Sequence, residues 1–331
     1  MYDIYGLGNA LVDMEYRIDD GFLRRHDIAK GHMTLVEEDR LDALIADLNE
    51  YDPERMSGGS AANTVIAAQC FGVRTFYSCK VASDATGDYF LQDMGTAGVD
   101  TNANAGNGKG KSGRCLVLVT PDAERSMNTF LGVSSQLSTA EIDEAALARA
   151  GFFYVEGYLS SSPGSLEAAV ECRQLAEDSG VKTAVSLSDP SMVEFFRDGM
   201  EQIFGNGVDH LFCNEEEALS WSRTDRLDIA VRELADVARA VNVTLGARGS
   251  LAVNGHEQHT APGYPVTAVD TNGAGDIYAG ACLFGWAAGM SADTAAAFGN
   301  FAAANLVQRY GARFRHRSDY QSVLGEFRKI T

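Results

Sequence analysis

The sequence predicts an α/β fold: a three-layer α/β/α sandwich around a mostly parallel sheet, with a small β-sheet lid. Apolar runs typical of strands alternate with segments of helical period along most of the chain, which is the pattern of parallel strands joined by helical crossovers. The length of 331 residues suits one large α/β domain with a minor appendage. Two stretches, residues 12–36 and 99–132, interrupt the alternation and indicate that appendage.

The elements follow one another along the chain in an order that favours parallel strands. Helical crossovers between such strands cover both faces of a sheet. The predicted strands are Ile4–Leu7, Thr75–Lys80, Phe152–Val155, Lys182–Leu187, His210–Cys213 and Val243–Leu245. The predicted helices are Glu37–Asn49, Ala61–Cys70, Ser165–Asp178, Leu227–Ala240, Ala274–Ala288 and Ala292–Gln308.

The two interrupting stretches predict a second, smaller sheet. Arg114–Thr120 has the composition of a strand and lies between glycine-rich and polar turns. We therefore divide the chain into a large domain, residues 1–11, 37–98 and 133–331, and a lid, residues 12–36 and 99–132. A lid of this kind could close over a site and exclude water from it.

Charge and cysteine content exclude several classes of protein. The 46 acidic and 27 basic residues give a net charge of −19, which would repel a nucleic-acid backbone. An anionic ligand would have to be held by local groups, such as backbone amides at a helix N-terminus.

The six cysteines are too widely spaced for metal-ligand pairs and too few for a disulfide scaffold, so we expect a reducing, cytoplasmic location. We expect no signal peptide, because Met1–Leu11 lacks a basic segment followed by an apolar run, and no membrane span, because the most apolar later stretch, Ile277–Met290, is short and contains glycines.

The segment Val269–Asp276, with the sequence Val-Asp-Thr-Asn-Gly-Ala-Gly-Asp, carries the sharpest chemical signal. A glycine-rich turn that leads into a helix leaves the amides of Gly273, Ala274 and Gly275 unpaired, where they could bind a phosphoryl group as it develops negative charge. Asp276 in the first helical turn could accept a proton from a hydroxyl beside that group. The alternative is an ordinary N-capped helix that is preceded by a glycine-rich segment and has no catalytic role.

Five motifs, in order along the chain, resemble the ribokinase-like (PfkB) family of carbohydrate and nucleoside kinases. Asp270–Asp276 is similar to the family signature, and Gly58–Asn63 resembles its substrate motif. Gly8–Asp13 resembles the first-strand motif whose aspartate binds sugar hydroxyls. Asn214–Glu217 resembles the N-x-x-E that organises magnesium, and Thr244–Gly249 resembles the strand and turn that border the nucleotide.

The resemblance implies an ATP- and Mg²⁺-dependent kinase that phosphorylates a primary hydroxyl of a nucleoside or sugar. Asp276 would be the base, and Arg125, near the lid boundary, could neutralise the transferred phosphate, although a solvated surface charge is the alternative. Asp270 would lie beside a monovalent cation, K⁺. The implied substrate residues are Asp13, Gly58, Gly59, Ser60 and Asn63; the implied nucleotide residues are Asn214, Thr244, Gly246, Arg248, Gly249 and Asn300; and the implied magnesium residues are Asn214 and Glu217, acting through water.

Local resemblance favours a nucleoside as substrate. Asn272, Ser60 and the segments Arg125–Gly132 and Val155–Ser160 resemble the adenosine kinase branch more than ribokinase, which carries lysine where Ser60 stands. Apolar walls for a purine base could come from Met33, Phe130 and Tyr158, which could equally be ordinary core residues. We expect adenosine as substrate in a monomer or homodimer. The alternatives are a kinase of fructose or ribose, or a non-catalytic ligand-binding protein with a kinase fold.

Overall fold

The computed structural model describes the chain except for residues 49–52, 103, 123, 256 and 331. Within the described residues the strands are β1 Ile4–Leu7, β2 Leu11–Arg17, β3 Met33–Leu35, β4 Glu54–Gly58, β5 Thr75–Ser78, β6 Asp100–Thr101, β7 Gly113–Val119, β8 Arg125–Phe130, β9 Phe152–Glu156, β10 Lys182–Ser186, β11 Val208–Asn214, β12 Ala238–Thr244, β13 Gly249–Asn254 and β14 Glu257–Pro262. The helices are α1 Asp20–Arg25, α2 Glu38–Ala46, α3 Ser60–Phe71, α4 Ala85–Ala97, α5 Glu144–Leu147, α6 Pro163–Asp178, α7 Pro190–Phe195, α8 Arg197–Phe204, α9 Glu215–Ser222, α10 Leu227–Leu234, α11 Ala274–Ala287, α12 Ala292–Leu306 and α13 Arg317–Ile330.

The large sheet has the strand order β14-β13-β12-β11-β10-β9-β1-β5-β6 among the described residues. The strands from β12 to β6 run parallel, and β13 and β14 join one edge antiparallel. All the parallel strands end at the same edge of the sheet, which is where ligand sites open in α/β folds. The candidate site described below lies at that edge.

Helices cover both faces of the large sheet, so the fold has three layers. Successive strand residues point to opposite faces, and Ile4 of β1 packs with one apolar cluster whereas Tyr5 and Leu7 pack with the other. The first cluster includes side chains of α3, α11 and α12, and the second includes those of α6, α8 and α10. The predicted α/β/α sandwich is confirmed.

Small residues allow α11 to approach α3 closely. A Cβ atom added at Gly280 of α11 would come within 2.6 Å of the Thr64 carbonyl oxygen of α3. This close packing brings together the N-terminal turns of the two helices, which carry Ser60 and Asn63 on one side and Asp276 on the other. The small-residue run that follows the glycine-rich turn therefore serves to position the site.

A second sheet has the strand order β3-β8-β7-β2-β4. Its outer face packs on α1 and α2 through side chains such as Met14, Tyr16 and Leu116, and its inner face looks toward the large sheet's edge. Two strand assignments differ from the prediction. Glu54–Gly58, placed in the large domain, pairs with β2 in the small sheet, and Asp100–Thr101, placed in the lid, pairs with β5 in the large sheet.

Sequence patterning explains where the element bounds were misjudged. Glu54–Gly58 contains no β-branched or aromatic residue, so it gives little strand signal. The predicted helix Leu227–Ala240 was wrong at its end, because α10 stops at Leu234 and β12 begins at Ala238. The predicted helix end at Asn49 lies outside the described residues. Across the described ranges, no helix combines the length and the apolar character needed to cross a membrane.

Candidate active site

A cavity of about 310 Å³ lies between the edge of the large sheet and the small sheet. We call its wall from the small sheet the roof; it consists of Leu11, Asp13, Met33, Leu35, Cys115, Met127, Thr129 and Leu131. We call its wall from the large domain the floor; its charged and polar side chains include Asn9, Ser60, Asn63, Glu156, Asp189, Asn214, Glu217 and Asp276. The cavity therefore has one largely apolar and one polar wall.

The glycine-rich turn at the start of α11 forms part of the floor. Gly273 has a φ of +71°, and a Cβ atom there would lie 1.9 Å from the Ala312 carbonyl oxygen, so only glycine fits. Within the described residues no side chain caps this helix start, and a Cβ atom at Gly275 would meet nothing within 4 Å. Gly273 and Gly275 line the cavity, whereas Ala274 lies in the turn without lining it. The first amides of a helix can hold an anion, so this helix start has the chemistry of an anion site.

Asp276 is held beside this turn by two side chains of α3. The Ser60 hydroxyl donates to Oδ1 at 2.6 Å, and Asn63 Nδ2 donates to Oδ2 at 3.1 Å. Burial raises the pKa of Asp276 to about 6, and these two hydrogen bonds oppose the rise because they favour the ionised form. Asp276 is thus mostly ionised at neutral pH and has a proton affinity useful for a general base.

Two polar groups face the cavity with hydrogen-bonding capacity to spare. The Oδ1 atom of Asn63 is buried and has no partner among the described residues. Burial raises the pKa of Asp13 to about 7, partly offset by the charge of Arg313, and its carboxyl makes no hydrogen bond within the described part of the chain. Buried polar atoms are normally paired, so the Asn63 Oδ1 atom and the Asp13 carboxyl are available to accept hydrogen bonds from a polar ligand in the cavity.

The substrate motif Gly58-Gly59-Ser60 forms the turn between β4 and α3. Gly59 has a φ of +104° and lies against Asn9, since a Cβ atom would come 2.4 Å from the Asn9 carbonyl oxygen. Gly58 does not line the cavity; it packs against Asp13, whose Oδ1 would lie 2.3 Å from an added Cβ. Gly58 thus shapes the site by leaving room for the aspartate.

Glu156, at the end of β9, is a floor residue that sequence reasoning missed. Its Oε1 accepts hydrogen bonds from the Asn9 amide at 2.7 Å and from Asn9 Nδ2 at 2.8 Å, and its Oε2 accepts one from the Ala61 amide at 2.7 Å. Burial raises its pKa to about 7 against these donors. The carboxyl group ties the end of β1 to the first turn of α3. Its signal was an acidic residue that ends an otherwise apolar strand.

Asn214 and Glu217 line the cavity, yet they pair with each other as a capping box at the start of α9. Asn214 Oδ1 accepts from the Glu217 amide at 2.8 Å, and Glu217 accepts from the amide and Nδ2 of Asn214. The pKa of Glu217 is raised to about 8, mainly by burial and in part by the negative charge of nearby Asp189. Asp189 lines the cavity and was also missed from the sequence. The oxygens of Asn214 and Glu217 already accept N–H groups, so Mg²⁺ would reach the two residues only through its waters, several of which it normally keeps. Within the described residues no group of three or more His, Cys, Asp or Glu side chains is arranged to hold a metal ion.

The other nucleotide residues lie beside the cavity without lining it. Thr244 pairs with Asn214 across β11 and β12, so it is one strand away from the floor. Arg248, after Gly246, forms an ion pair with Glu215. Gly249 has a φ of +98° and fits tightly against the Ala261 carbonyl, and Asn300 donates to that same carbonyl at 2.9 Å. Gly249 and Asn300 are therefore linked through Ala261, and none of these residues lines the cavity among the described residues.

Three predicted site residues, Phe130, Arg125 and Asp270, do not line the cavity within the described part of the chain. Met33 and Tyr158 line the cavity, whereas Phe130 points to the outer face of the small sheet, because alternate residues of β8 face opposite sides and Met127 and Thr129 face inward. Arg125 pairs with Asp270 and Glu15 and is not part of the cavity wall among the described residues. Asp270 in turn accepts hydrogen bonds from the amides of Asn272 and Gly311 and from Arg125, so in this structure the two residues pair with each other.

Comparisons with known proteins agree with this geometry and with the predicted ribokinase-like fold. A model of the pfkB family of carbohydrate kinases matches residues 42–318. Adenosine kinase 2 of Arabidopsis thaliana is 27% identical over 340 residues, which cover 96% of this chain and 97% of that protein. The crystal structure of adenosine kinase from Sinorhizobium meliloti has a TM-score of 0.92 at 34% identity, covering 100% of this chain and 99% of its own; a probable sugar kinase from Rhizobium etli CFN 42 has a TM-score of 0.92 at 31% identity, covering 98% of each. The chain therefore belongs to the pfkB family of carbohydrate kinases, on its adenosine kinase branch, and is a phosphotransferase with an alcohol group as acceptor.

Proposed function

We propose that the protein transfers the γ-phosphate of ATP to the primary hydroxyl of adenosine. The observation that supports this most is the pairing of an apolar roof with a polar floor in one cavity. A nucleoside has a flat apolar base at one end and a hydroxyl-rich sugar at the other, so it matches both walls. A free sugar would leave the methionines and leucines of the roof without an apolar partner.

The sugar would lie where Asp13 and Asn63 have unused acceptor capacity. Vicinal hydroxyls are donors, and both Asp13 and the Asn63 Oδ1 atom can accept from them. The base would then contact roof side chains such as Met33 and Met127, with Tyr158 of the floor beside it. This orientation brings the primary hydroxyl toward Asp276.

Asp276 would act as the base late in phosphoryl transfer. As the bond between the hydroxyl oxygen and the γ-phosphorus forms, the hydroxyl proton passes to the Asp276 carboxylate and the bond to the leaving ADP oxygen breaks. The amides of Gly273 and Gly275 would hold the charge that develops on the transferred group. When bound near Glu217 and Asp189, Mg²⁺ would neutralise phosphate charge.

A reducing compartment suits this chain, and we propose a cytoplasmic location. All six cysteines are buried free thiols. Disulfides are rare in the cytosol, where thiols are kept reduced. Intracellular ATP would then be available as phosphoryl donor.

The proposal is tested by ADP release with a panel of acceptors. The purified protein is mixed with ATP, MgCl₂ and either adenosine, inosine, ribose or fructose, and the product is identified by its mass. We expect adenosine to give the highest kcat/KM and the 5′-monophosphate as product. The matched control is 5′-deoxyadenosine, which keeps the base but lacks the acceptor hydroxyl, and should give no ADP above background.

Two results would change the assignment. A higher kcat/KM with ribose or fructose would make this a sugar kinase, in line with the similarity to the probable sugar kinase. Equal ADP release with adenosine and with 5′-deoxyadenosine would show hydrolysis of ATP without transfer and would contradict the proposal.

A further inference from the structure

One buried carboxylate, Asp270, and one partly buried carboxylate, Glu15, share Arg125 between the small sheet and the glycine-rich turn. Arg125 of β8 donates to Asp270 Oδ2 through Nη2, and its Nη1 atom lies 3.3 Å from Glu15 Oε2 of β2. The side chain of Asp270 is 0% exposed, and those of Arg125 and Glu15 are 9% and 11% exposed. The ion pairs are therefore shielded from solvent.

The acceptor atoms of Asp270 are occupied by N–H donors. Oδ1 accepts from the Asn272 amide at 2.9 Å, and Oδ2 accepts from the Gly311 amide at 2.7 Å in addition to Arg125. A bound alkali-metal ion needs a set of oxygen ligands turned toward it, and here a guanidinium already stands at the carboxylate. The residues around Asp270 do not fit the monovalent cation that the sequence resemblance implied.

Asp270 fixes the shape of the glycine-rich turn. Its bond to the Asn272 amide holds the residue directly before Gly273, and its bond to Gly311 holds the neighbouring loop. That loop contacts the turn directly, since the Ala312 carbonyl lies 1.9 Å from an ideal Cβ at Gly273. The charge state and position of Asp270 therefore bear on the amides that form the anion site.

We propose that Arg125 is a built-in cation that takes the place of a bound monovalent ion at Asp270 and positions the glycine-rich turn for phosphoryl transfer. Arg125 is a positioning residue, because it reaches the site through Asp270 and does not line the cavity. The inference rests on the proposed function, since the turn is taken to hold the transferred phosphoryl group. It predicts an enzyme whose turnover does not require K⁺.

Electrostatics indicates what happens when Arg125 is removed. Burial raises the pKa of Glu15 above its ordinary value; the charge of Arg125 opposes this rise, and the charge of Asp270 adds to it. Without the guanidinium, the buried Asp270 and the partly buried Glu15 would face each other with no cation between them, which is unfavourable. An ion of small radius could then enter and restore the balance, whereas a bulky organic cation could not.

The experiment compares the unchanged protein with R125M and R125K in chloride salts of K⁺, Na⁺ and tetramethylammonium at constant ionic strength. We expect the unchanged protein to turn over at the same rate in all three salts. In tetramethylammonium, R125M should lose about 10- to 100-fold in kcat, the order expected when reacting groups are loosely held, and should regain most of it in K⁺. R125K keeps a charge at this position and should stay insensitive to the salt.

Thermal unfolding gives a second readout that needs no substrate. The Tm of R125M should rise when K⁺ replaces tetramethylammonium, and the Tm of the unchanged protein should not. Turnover of the unchanged protein that depends strongly on K⁺ would overturn the inference, as would an R125M variant that K⁺ affects neither in rate nor in Tm. If R125M does not fold, the salt dependence of the unchanged protein and of R125K decides the matter. Failure of the proposed function would be seen separately, as the absence of phosphorylated nucleoside in the acceptor panel.

Discussion

The floor and the roof of the cavity differ in how firmly their polar groups are held. On the floor, Asp276, Glu156 and Glu217 each accept two or more hydrogen bonds from neighbouring residues. On the roof, the Asp13 carboxyl accepts none within the described residues, and most of the other roof residues are methionine or leucine. The difference indicates that the floor is preorganised for chemistry and the roof is adapted to recognition, because rigid support favours catalysis and methionine adapts to ligand shape.

The largest effect should come from the floor, with Asp276→Asn. Asparagine keeps the size of the side chain but cannot accept the hydroxyl proton, so kcat should fall about 10²- to 10⁴-fold with little change in KM for ATP. Steady-state kinetics with adenosine measures this. The exposed Asp198→Asn on α8 is the control and should keep full turnover. If D276N retains the kcat of the unchanged protein, the floor does not supply the base.

On the roof, Asp13→Asn should change binding more than chemistry. The pKa of Asp13 is about 7, so at pH 8 the carboxyl is mostly a charged acceptor for sugar hydroxyls, which asparagine is not. KM for adenosine should therefore rise about 10- to 100-fold at pH 8 with kcat nearly unchanged, because a hydrogen bond to a charged group contributes about 1.5–3 kcal/mol. Initial rates over a range of adenosine concentrations separate the two constants. A fall in kcat with constant KM would contradict the claim that Asp13 of the roof acts in binding and the floor residues act in chemistry.

The pH dependence of turnover should report the Asp276 carboxyl. Its pKa is about 6 and the ionised form is the base, so kcat should fall as the pH drops through about 6 and level off above it. Ser60→Ala removes a hydrogen bond that lowers this pKa, so the acid limb should move to higher pH in S60A. Rate profiles from pH 5 to 9 test this, and an acid limb that S60A leaves in place would assign the ionisation to another group.

The smallest effect should come from the apolar roof. Met127→Ala removes apolar contact with the base and should raise KM for adenosine about 3- to 10-fold, the value expected for losing part of a buried side chain. Phe130→Leu is the matched control, since Phe130 lies on the outer face of the same strand and should leave KM unchanged. KM for ribose should be the same in M127A and in the unchanged protein. An equal rise in KM for ribose and for adenosine would argue against a roof that binds the base.

The sequence predicted the floor better than the roof for a physical reason. Gly273 and Gly59 have positive φ values that favour glycine. Because few other residues are tolerated at these positions, the two motifs can be recognised in the sequence. Roof residues such as Leu35 and Met127 come from short strands, and their facing depends on register, which one sequence does not specify. Phe130 was assigned to the wrong face for this reason.

Long-range pairs were also beyond sequence reasoning. The ends of parallel strands meet at one edge whatever their spacing along the chain, so the floor could be expected as a group but its partners could not. The links from Glu156 to Asn9 and from Arg125 to Asp270 span 147 and 145 positions. Nothing in the local pattern around Arg125 distinguishes a buried ion pair from a solvated charge.

The hydrogen bond from Ser60 to Asp276 joins residues 216 positions apart, and this separation bears on how the protein is made. On the ribosome, α3 is synthesised long before α11. The Ser60 side chain therefore cannot pair with Asp276 until most of the chain has been made. Contacts of such separation are closed late and slowly. A nascent chain therefore cannot transfer phosphate from ATP at this site until its fold is nearly complete.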